Sequence, residues 1–209
     1  MRFEGSRCIH SRNCVLTLPT VFRPNVQGPW IDPDGADPED VAALARRCPS
    51  GAIRVERLDG GTAESADLIN SVTVTENGPY VVRGELEIGG VAQTRATLCR
   101  CGSSRNKPFC DGMHRAAFTA TGQVTSQQTM PESAPRAGLR ITPAPNGPLL
   151  LSGPVEVLTG SGQPVQRGTK FALCRCGQSA NKPFCDGTHT RVGFTTTATD
   201  PATSGGTTP

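Results

Sequence analysis

The chain has 209 residues, enough for one or two domains, and a net charge of +3. Leu, Ile, Val and Phe number only 41 against 24 Gly and 18 Pro, so the apolar core must be thin and the fold rich in loops. Scattered arginines form no basic stripe, which argues against a nucleic-acid partner, and no apolar run approaches the length of a membrane span.

Residues 1–60 carry three cysteines, Cys8, Cys14 and Cys48. Between the second and third, Asp37-Pro-Glu-Asp-Val-Ala-Ala-Leu-Ala-Arg-Arg predicts a helix, with Asp37 as N-cap, Pro38 at the first helical position and acidic residues in the first turn. Val41, Leu44, Ala45 and Cys48 recur at i, i+3, i+4 and i+7, which puts Cys48 on the buried face. Pro49 ends the helix, and Ala52-Ile-Arg-Val-Glu alternates as a strand. A polar stretch from Gly60 to Asp67 reads as a linker.

Beyond it the sequence repeats. Ile69–Thr75 and Tyr80–Ile88 are rich in β-branched residues and read as strands. Asn77-Gly-Pro-Tyr-Val-Val-Arg-Gly84 returns as Asn146-Gly-Pro-Leu-Leu-Leu-Ser-Gly153, 69 positions on. The cysteines of the two units match 75 positions apart, so six residues are inserted in the second, expected in the turn from Thr159 to Pro164. Residues 116–140 read as a polar connection, and 198–209 as a disordered tail.

Each unit then carries one dense motif: Cys99-Arg-Cys101-Gly-Ser-Ser104-Arg-Asn-Lys-Pro108-Phe-Cys110-Asp111-Gly-Met-His114, and Cys174-Arg-Cys176-Gly-Gln-Ser179-Ala-Asn-Lys-Pro183-Phe-Cys185-Asp186-Gly-Thr-His189. Both are C-x-C-x8-C-x3-H. Two cysteines one residue apart can aim at one metal ion from an extended segment, whereas a disulfide between them would be a tight, strained ring. Asp111 and Asp186 are expected as helix N-caps, and Cys110 with His114, or Cys185 with His189, would share a face of the following turn. Two donors from a loop and two from a helical turn suit one metal ion or two bridged irons.

These residues resemble the CDGSH iron–sulfur motif, C-x-C-x2-(S/T)-x3-P-x-C-D-G-x-H, with Ser104 and Ser179 at the S/T position and Pro108 and Pro183 at the proline. The resemblance implies a [2Fe-2S] cluster in each unit. Cys99 and Cys101 would hold one iron and Cys110 and His114 the other; Cys174 and Cys176, then Cys185 and His189, would repeat the arrangement. A Cys3His zinc site would use the same donors. The C-x5-C with a distant Cys-Pro in turn resembles single-cluster bacterial ferredoxins with Ser11 in place of the middle cysteine, and only seven residues precede Cys8, which truncates the first strand. By that resemblance Cys8, Cys14 and Cys48 would hold a [3Fe-4S] cluster, or a [4Fe-4S] cluster with Ser11, His10 or water as fourth ligand. On its own residues His10 reads as a surface or packing side chain.

The expected fold is therefore α+β: a small ferredoxin-like domain (1–60), then a β-rich tandem pseudo-dimer of CDGSH-type units (68–119 and 141–197) that pair within one chain to bury thin cores. All nine cysteines fall into three groups of three, and thiolate ligands without a signal segment place the protein in the cytoplasm. No nucleophile–base pair, acidic dyad or phosphate loop emerges, so the chain is not expected to be an enzyme. The expected function is electron transfer with a redox partner; cluster transfer to an apo-acceptor, storage or redox and pH sensing through the labile His corner is the alternative. Lys107, Lys182, Arg100 and Arg175 could stabilise a reduced cluster, with a solvated surface role at least as much expected.

Overall fold

A computed structural model of the chain describes residues 1–58, 60–61, 63–124 and 137–196. It divides into two compact units, Met1–Ser65 and Ala66–Pro209. The expected tail at 198–209 and the middle of the polar connection, 125–136, lie outside the described residues.

The first unit holds β1 (Arg2–Phe3), α1 (Asn13–Thr17), α2 (Pro38–Arg47) and β2 (Ile53–Arg54), with β1 and β2 paired antiparallel. The expected helix forms as α2: Asp37 caps it by accepting the Glu39 N–H at 2.8 Å, and Val41, Leu44 and Ala45 are buried. They pack with Val21, Phe22 and Ile53 into a small core, against which Trp30 lies with its ring 5.0 Å from that of Phe3 and 6.0 Å from that of Phe22. Both strands are only two residues long, shorter than the five-residue alternation at 52–56 suggests.

The second unit is built from two three-stranded repeats: β3 (Ser71–Val74), β4 (Tyr80–Ile88) and β5 (Val91–Leu98), then β6 (Leu139–Pro143), β7 (Leu149–Leu158) and β8 (Pro164–Leu173). Within each, the second strand pairs antiparallel with both neighbours. Between them, β3 pairs in parallel with β7 and β4 with β6. These cross-pairs are equivalent under exchange of the repeats: Glu87 stands opposite Arg140 as Glu156 stands opposite Ser71. The pseudo-dimer therefore shares one sheet, whose alternating inward residues form a single core including Val72, Val74, Val82, Leu86, Ile141 and Val157. Asn70 adds a cross-link, its side-chain amide donating to the Pro154 carbonyl at 2.9 Å.

Two details depart from expectation. The six extra residues of the second repeat are not confined to the turn: β7 and β8 have ten residues each, against nine and eight in β4 and β5. The connection expected from 116 still packs on the first repeat, since Thr121 receives a buried arginine and Val124 joins the core.

Candidate metal centres

In both repeats the third strand delivers the first donor. β5 ends at Leu98, and the chain continues through Cys99 to Cys101; it returns through Cys110, whose N–H donates to the Thr97 carbonyl at 2.9 Å, while Cys99 N–H donates to the Pro108 carbonyl at 2.8 Å. The second repeat has the same two bonds, Cys185 to Ala172 and Cys174 to Pro183, each 2.8 Å. Inside each loop a serine hydroxyl ties the turn: Ser104 donates to the Phe109 carbonyl at 2.7 Å and accepts from Asn106 N–H at 3.0 Å, and Ser179 does the same to Phe184 and Asn181 at 2.6 and 3.0 Å. Lys107 and Lys182 donate to the Ser104 and Ser179 carbonyls, both at 2.6 Å, so they close the loop rather than range in solvent.

The aspartates stand one residue earlier than a cap. Gly112 and Gly187 occupy the N-cap positions, with φ of 91° and 83°, ahead of a 3-10 turn at Met113–Ala116 and the short α3 (Thr188–Arg191). Asp111 instead spans the motif, accepting the Met113 N–H on Oδ1 at 3.1 Å and the Arg105 N–H on Oδ2 at 2.9 Å. Asp186 accepts from Thr188 and Ala180 at 3.0 and 2.8 Å. These N–H groups hold the Asp186 carboxyl far below the usual carboxylate range.

The eight expected donors come together in pairs. Sulfur–sulfur distances are 3.9 Å for Cys99 and Cys101 and 3.7 Å for Cys174 and Cys176. The third cysteine sulfur of each motif lies 3.3 Å from the Nδ1 of its histidine, Cys110 to His114 and Cys185 to His189. Two ligands bound tetrahedrally at ~2.0–2.3 Å stand roughly 3.4–3.8 Å apart, so each pair is spaced for one metal ion. Among the described residues no three His, Cys, Asp or Glu gather as they would around a single ion. Two pairs per loop fit a dinuclear group better than one mononuclear site, and Nδ1 is the nitrogen turned toward the sulfur.

Burial and mutual hydrogen bonding set how firmly the thiols hold their protons. Cys99 is buried; its thiol pKa is pushed up by the proton it shares with Cys101 and by desolvation, while the Cys101 thiol is lowered to about 6, chiefly by the hydrogen bond from Cys99. Burial raises Cys110 to about 11 and lowers the His114 imidazole. A metal must therefore displace thiol protons, and binding weakens as pH falls.

Arg100 and Arg175, expected at the surface, are each 1% exposed. Arg100 donates to the Thr75 and Thr121 carbonyls at 2.8 and 2.7 Å and lies 5.5 Å from the Phe118 ring centroid. Arg175 donates to Gly147 and Ala144 at 2.9 and 2.6 Å and lies 5.6 Å from the Phe194 ring centroid. Each fixes the middle of its C-x-C to the turn between the first two strands of its own repeat. Between repeats, the loops touch: a Cβ on Gly102 would meet the Cys176 oxygen at 2.6 Å, and one on Gly177 the Cys101 oxygen at 2.5 Å.

In the first unit Cys8, Cys14 and Cys48 line one cavity of about 630 Å³, with His10, Ser11 and the apolar side chains of Phe3, Trp30, Leu44 and Ile53. Cys14 sits in α1 and Cys48 caps the end of α2. His10 and Arg12, with φ of 52° and 66°, turn the loop around the cavity, and the His10 N–H points at the Cys8 sulfur at 3.4 Å. Burial, with Cys8 and Cys48 nearby, raises the Cys14 thiol pKa. Eight atoms, given the ~30 Å³ of a water molecule apiece, occupy roughly 240 Å³, so the space admits a cuboidal cluster.

Two known families match segments of the chain. Residues 77–115 and 146–190 match the model of the iron-binding zinc finger of CDGSH type, and residues 2–58 that of the divergent 4Fe-4S mono-cluster. Among curated proteins none matches the chain. Among the described residues no helix is long and apolar enough to cross a membrane. The chain is an iron–sulfur binding protein that carries two CDGSH-type segments behind a divergent 4Fe-4S mono-cluster domain.

Proposed function

We propose that the chain is a multi-cluster electron carrier. Cys99, Cys101, Cys110 and His114 hold one [2Fe-2S] cluster, Cys174, Cys176, Cys185 and His189 a second, and Cys8, Cys14 and Cys48 a [3Fe-4S] or [4Fe-4S] cluster whose fourth ligand would be Ser11, His10 or water. The observation that carries this reading is the paired spacing of donors, 3.9 and 3.3 Å in one loop and 3.7 and 3.3 Å in the other. The direct contact of the two loops at Gly102 and Gly177 supports electron exchange between them. Bound clusters supply one-electron chemistry. The chain's own residues keep the sulfurs desolvated, aim the Ser103 and Gly112 N–H groups at Cys101 and Cys110, both at 3.4 Å, and leave the His corner half-buried for contact with a redox partner. No residue is assigned a catalytic role. Nine free cysteines suit a reducing compartment, which we place as the cytoplasm.

A second reading rests on those same half-buried histidines, His114 and His189: a cluster held by one neutral imidazole at its accessible corner suits transfer to an apo-acceptor or sensing of pH. Anaerobic purification with counts of iron, acid-labile sulfide and zinc, followed by redox titration, tests both. Reversible one-electron cycling with seven or eight irons retained supports the carrier. Loss of [2Fe-2S] units to an apo-ferredoxin, faster than reduction, supports the donor; colourless protein with stoichiometric zinc overturns both.

A further inference from the structure

A tyrosine of the first repeat is built into the second site. Tyr80, in β4, is fully buried, and its hydroxyl lies 2.9 Å from the carbonyl oxygens of both Cys174 and Pro183. Those carbonyls flank the root of the second metal-binding loop, where the Cys174 N–H also donates to Pro183. The same ring meets the first site, with the Arg100 guanidinium 5.8 Å from its centroid. The hydroxyl carries one proton to donate and is held between two carbonyl acceptors.

Among the described residues no tyrosine stands in the equivalent place of the second repeat. The register of the repeats puts Leu149 where Tyr80 stands; it too is fully buried, but it has no hydroxyl to offer the Cys99 and Pro108 carbonyls. The two sites match in ligand candidates, aspartates, serines and arginines; they differ in this buried dipole and in Thr188, buried, where the first site has the exposed Met113.

We infer that Tyr80 is a positioning residue of the second site, and that by donating to the Cys174 and Pro183 carbonyls it makes the two clusters inequivalent, raising the reduction potential of the second and slowing its loss. The inference rests on reading each C-x-C-x8-C-x3-H set as a [2Fe-2S] site. A hydroxyl dipole with its positive end toward a ligand's backbone stabilises the extra negative charge of the reduced cluster, as hydrogen bonds around such clusters do. The bond also pins the loop at both strands, so the ligands separate less readily.

The test uses the whole chain in two backgrounds. Cys99→Ala with Cys101→Ala leaves only the second [2Fe-2S] site, and Cys174→Ala with Cys176→Ala leaves only the first. Tyr80→Phe is added to each, and the [2Fe-2S] midpoint potential and the rate of cluster loss in mild acid are followed by paramagnetic resonance and visible absorption. The expected result, in the second-site background alone, is a lower potential and a loss about fivefold faster, the factor that one neutral hydrogen bond commands. Equal changes in both backgrounds, or none in either, overturn the inference. Should Tyr80→Phe not fold, 3-fluorotyrosine at this position, a stronger donor, must raise the second-site potential and leave the first alone; no shift overturns the inference as well. A complete absence of [2Fe-2S] signal in the unsubstituted chain overturns the reading of the sites, and the inference with it.

Discussion

Gly102 approaches the carbonyl of Cys176 so closely that no side chain fits between them, and Gly177 stands in the same relation to Cys101. Both glycines also hold left-handed backbone, with φ of 83° and 78°. Gly102→Ala is therefore expected to cost about 2 kcal/mol or more, from the unfavourable φ and the clash together. Chemical denaturation of the holo-protein checks this, and Gly177→Ala should behave alike; an unchanged midpoint in either would show that the loops can separate freely.

Arg100 and Arg175 give a second expectation. Each guanidinium is buried and held by backbone carbonyls and an aromatic face, although the Arg100 Nε is buried without a hydrogen-bond partner. Truncation to alanine leaves those carbonyls unpaired and should destabilise the second unit by roughly 2–4 kcal/mol, with lysine rescuing only part of it because one ammonium cannot reach both acceptors. Urea unfolding of Arg175→Ala and Arg175→Lys, compared with the parent, measures the difference.

Acid should release the [2Fe-2S] clusters through the imidazoles. A ligating histidine must be neutral, and protonation as pH falls removes the donor. Burial lowers the His114 pKa, so the ring stays neutral further into acid than a free imidazole, whose pKa is about 6.5. The sign for stability agrees: the unfolded chain takes up this proton first, so stability falls with pH below the unfolded value. His114→Cys and His189→Cys should each make one cluster acid-stable and lower its potential, read by visible absorption against pH and by redox titration. Retained acid lability in the double variant would remove the histidines from the ligand set.

The aspartates should play no part in that release. Asp186 has a depressed pKa, so its contribution is present above the unfolded carboxylate value of about 3.9 and is lost only as pH falls through the still lower folded value. Asp186→Asn gives up the bond to Ala180 and should lower thermal stability, while the pH midpoint of cluster loss at the second site stays where it was. A midpoint displaced by this substitution would implicate the carboxylate.

In the first unit, Cys48→Ala should remove three or four irons per chain and leave the [2Fe-2S] spectrum intact. His10→Ala and Ser11→Ala separate the candidates for the fourth ligand: the one that ligates will convert the paramagnetic signature toward a three-iron centre. If neither changes it, water fills that corner or the cluster has three irons.

The pairing of the eight motif side chains was legible because spacing is a local property: C-x-C and C-x3-H bring their atoms together within a few residues. The α2 cap at Asp37 was legible for the same reason. Asp111 and Asp186 are half legible, since N–H acceptance near a helix start follows from the residue type, but the glycines take the cap and free the carboxylates to tie back to Arg105 and Ala180. Arg100 and Arg175 were not legible. An arginine between two cysteines carries no burial signal, and its acceptors, Thr75 and Thr121 or Ala144 and Gly147, are gathered only by the folded turns. The third strands, β5 and β8, were missed because their outer halves are polar and exposed or half-exposed, with burial setting in toward the cysteines. Tyr80 read as one strand residue among several, and only the parallel pairing of the repeats brings it to Cys174.

That exchange of strands has a consequence for how such a chain is made. Synthesis up to Val124 yields β3, β4 and β5 with two strand edges whose matching neighbours, β7 and β6, do not yet exist. Until the second repeat arrives, the surface best shaped to cover those edges belongs to another nascent copy. Tethering both halves in one polypeptide supplies the proper neighbour at an effective concentration that separate chains seldom reach. The repeat thus carries its own template in cis, and a substitution in either half meets the other, residue against residue along the shared edges.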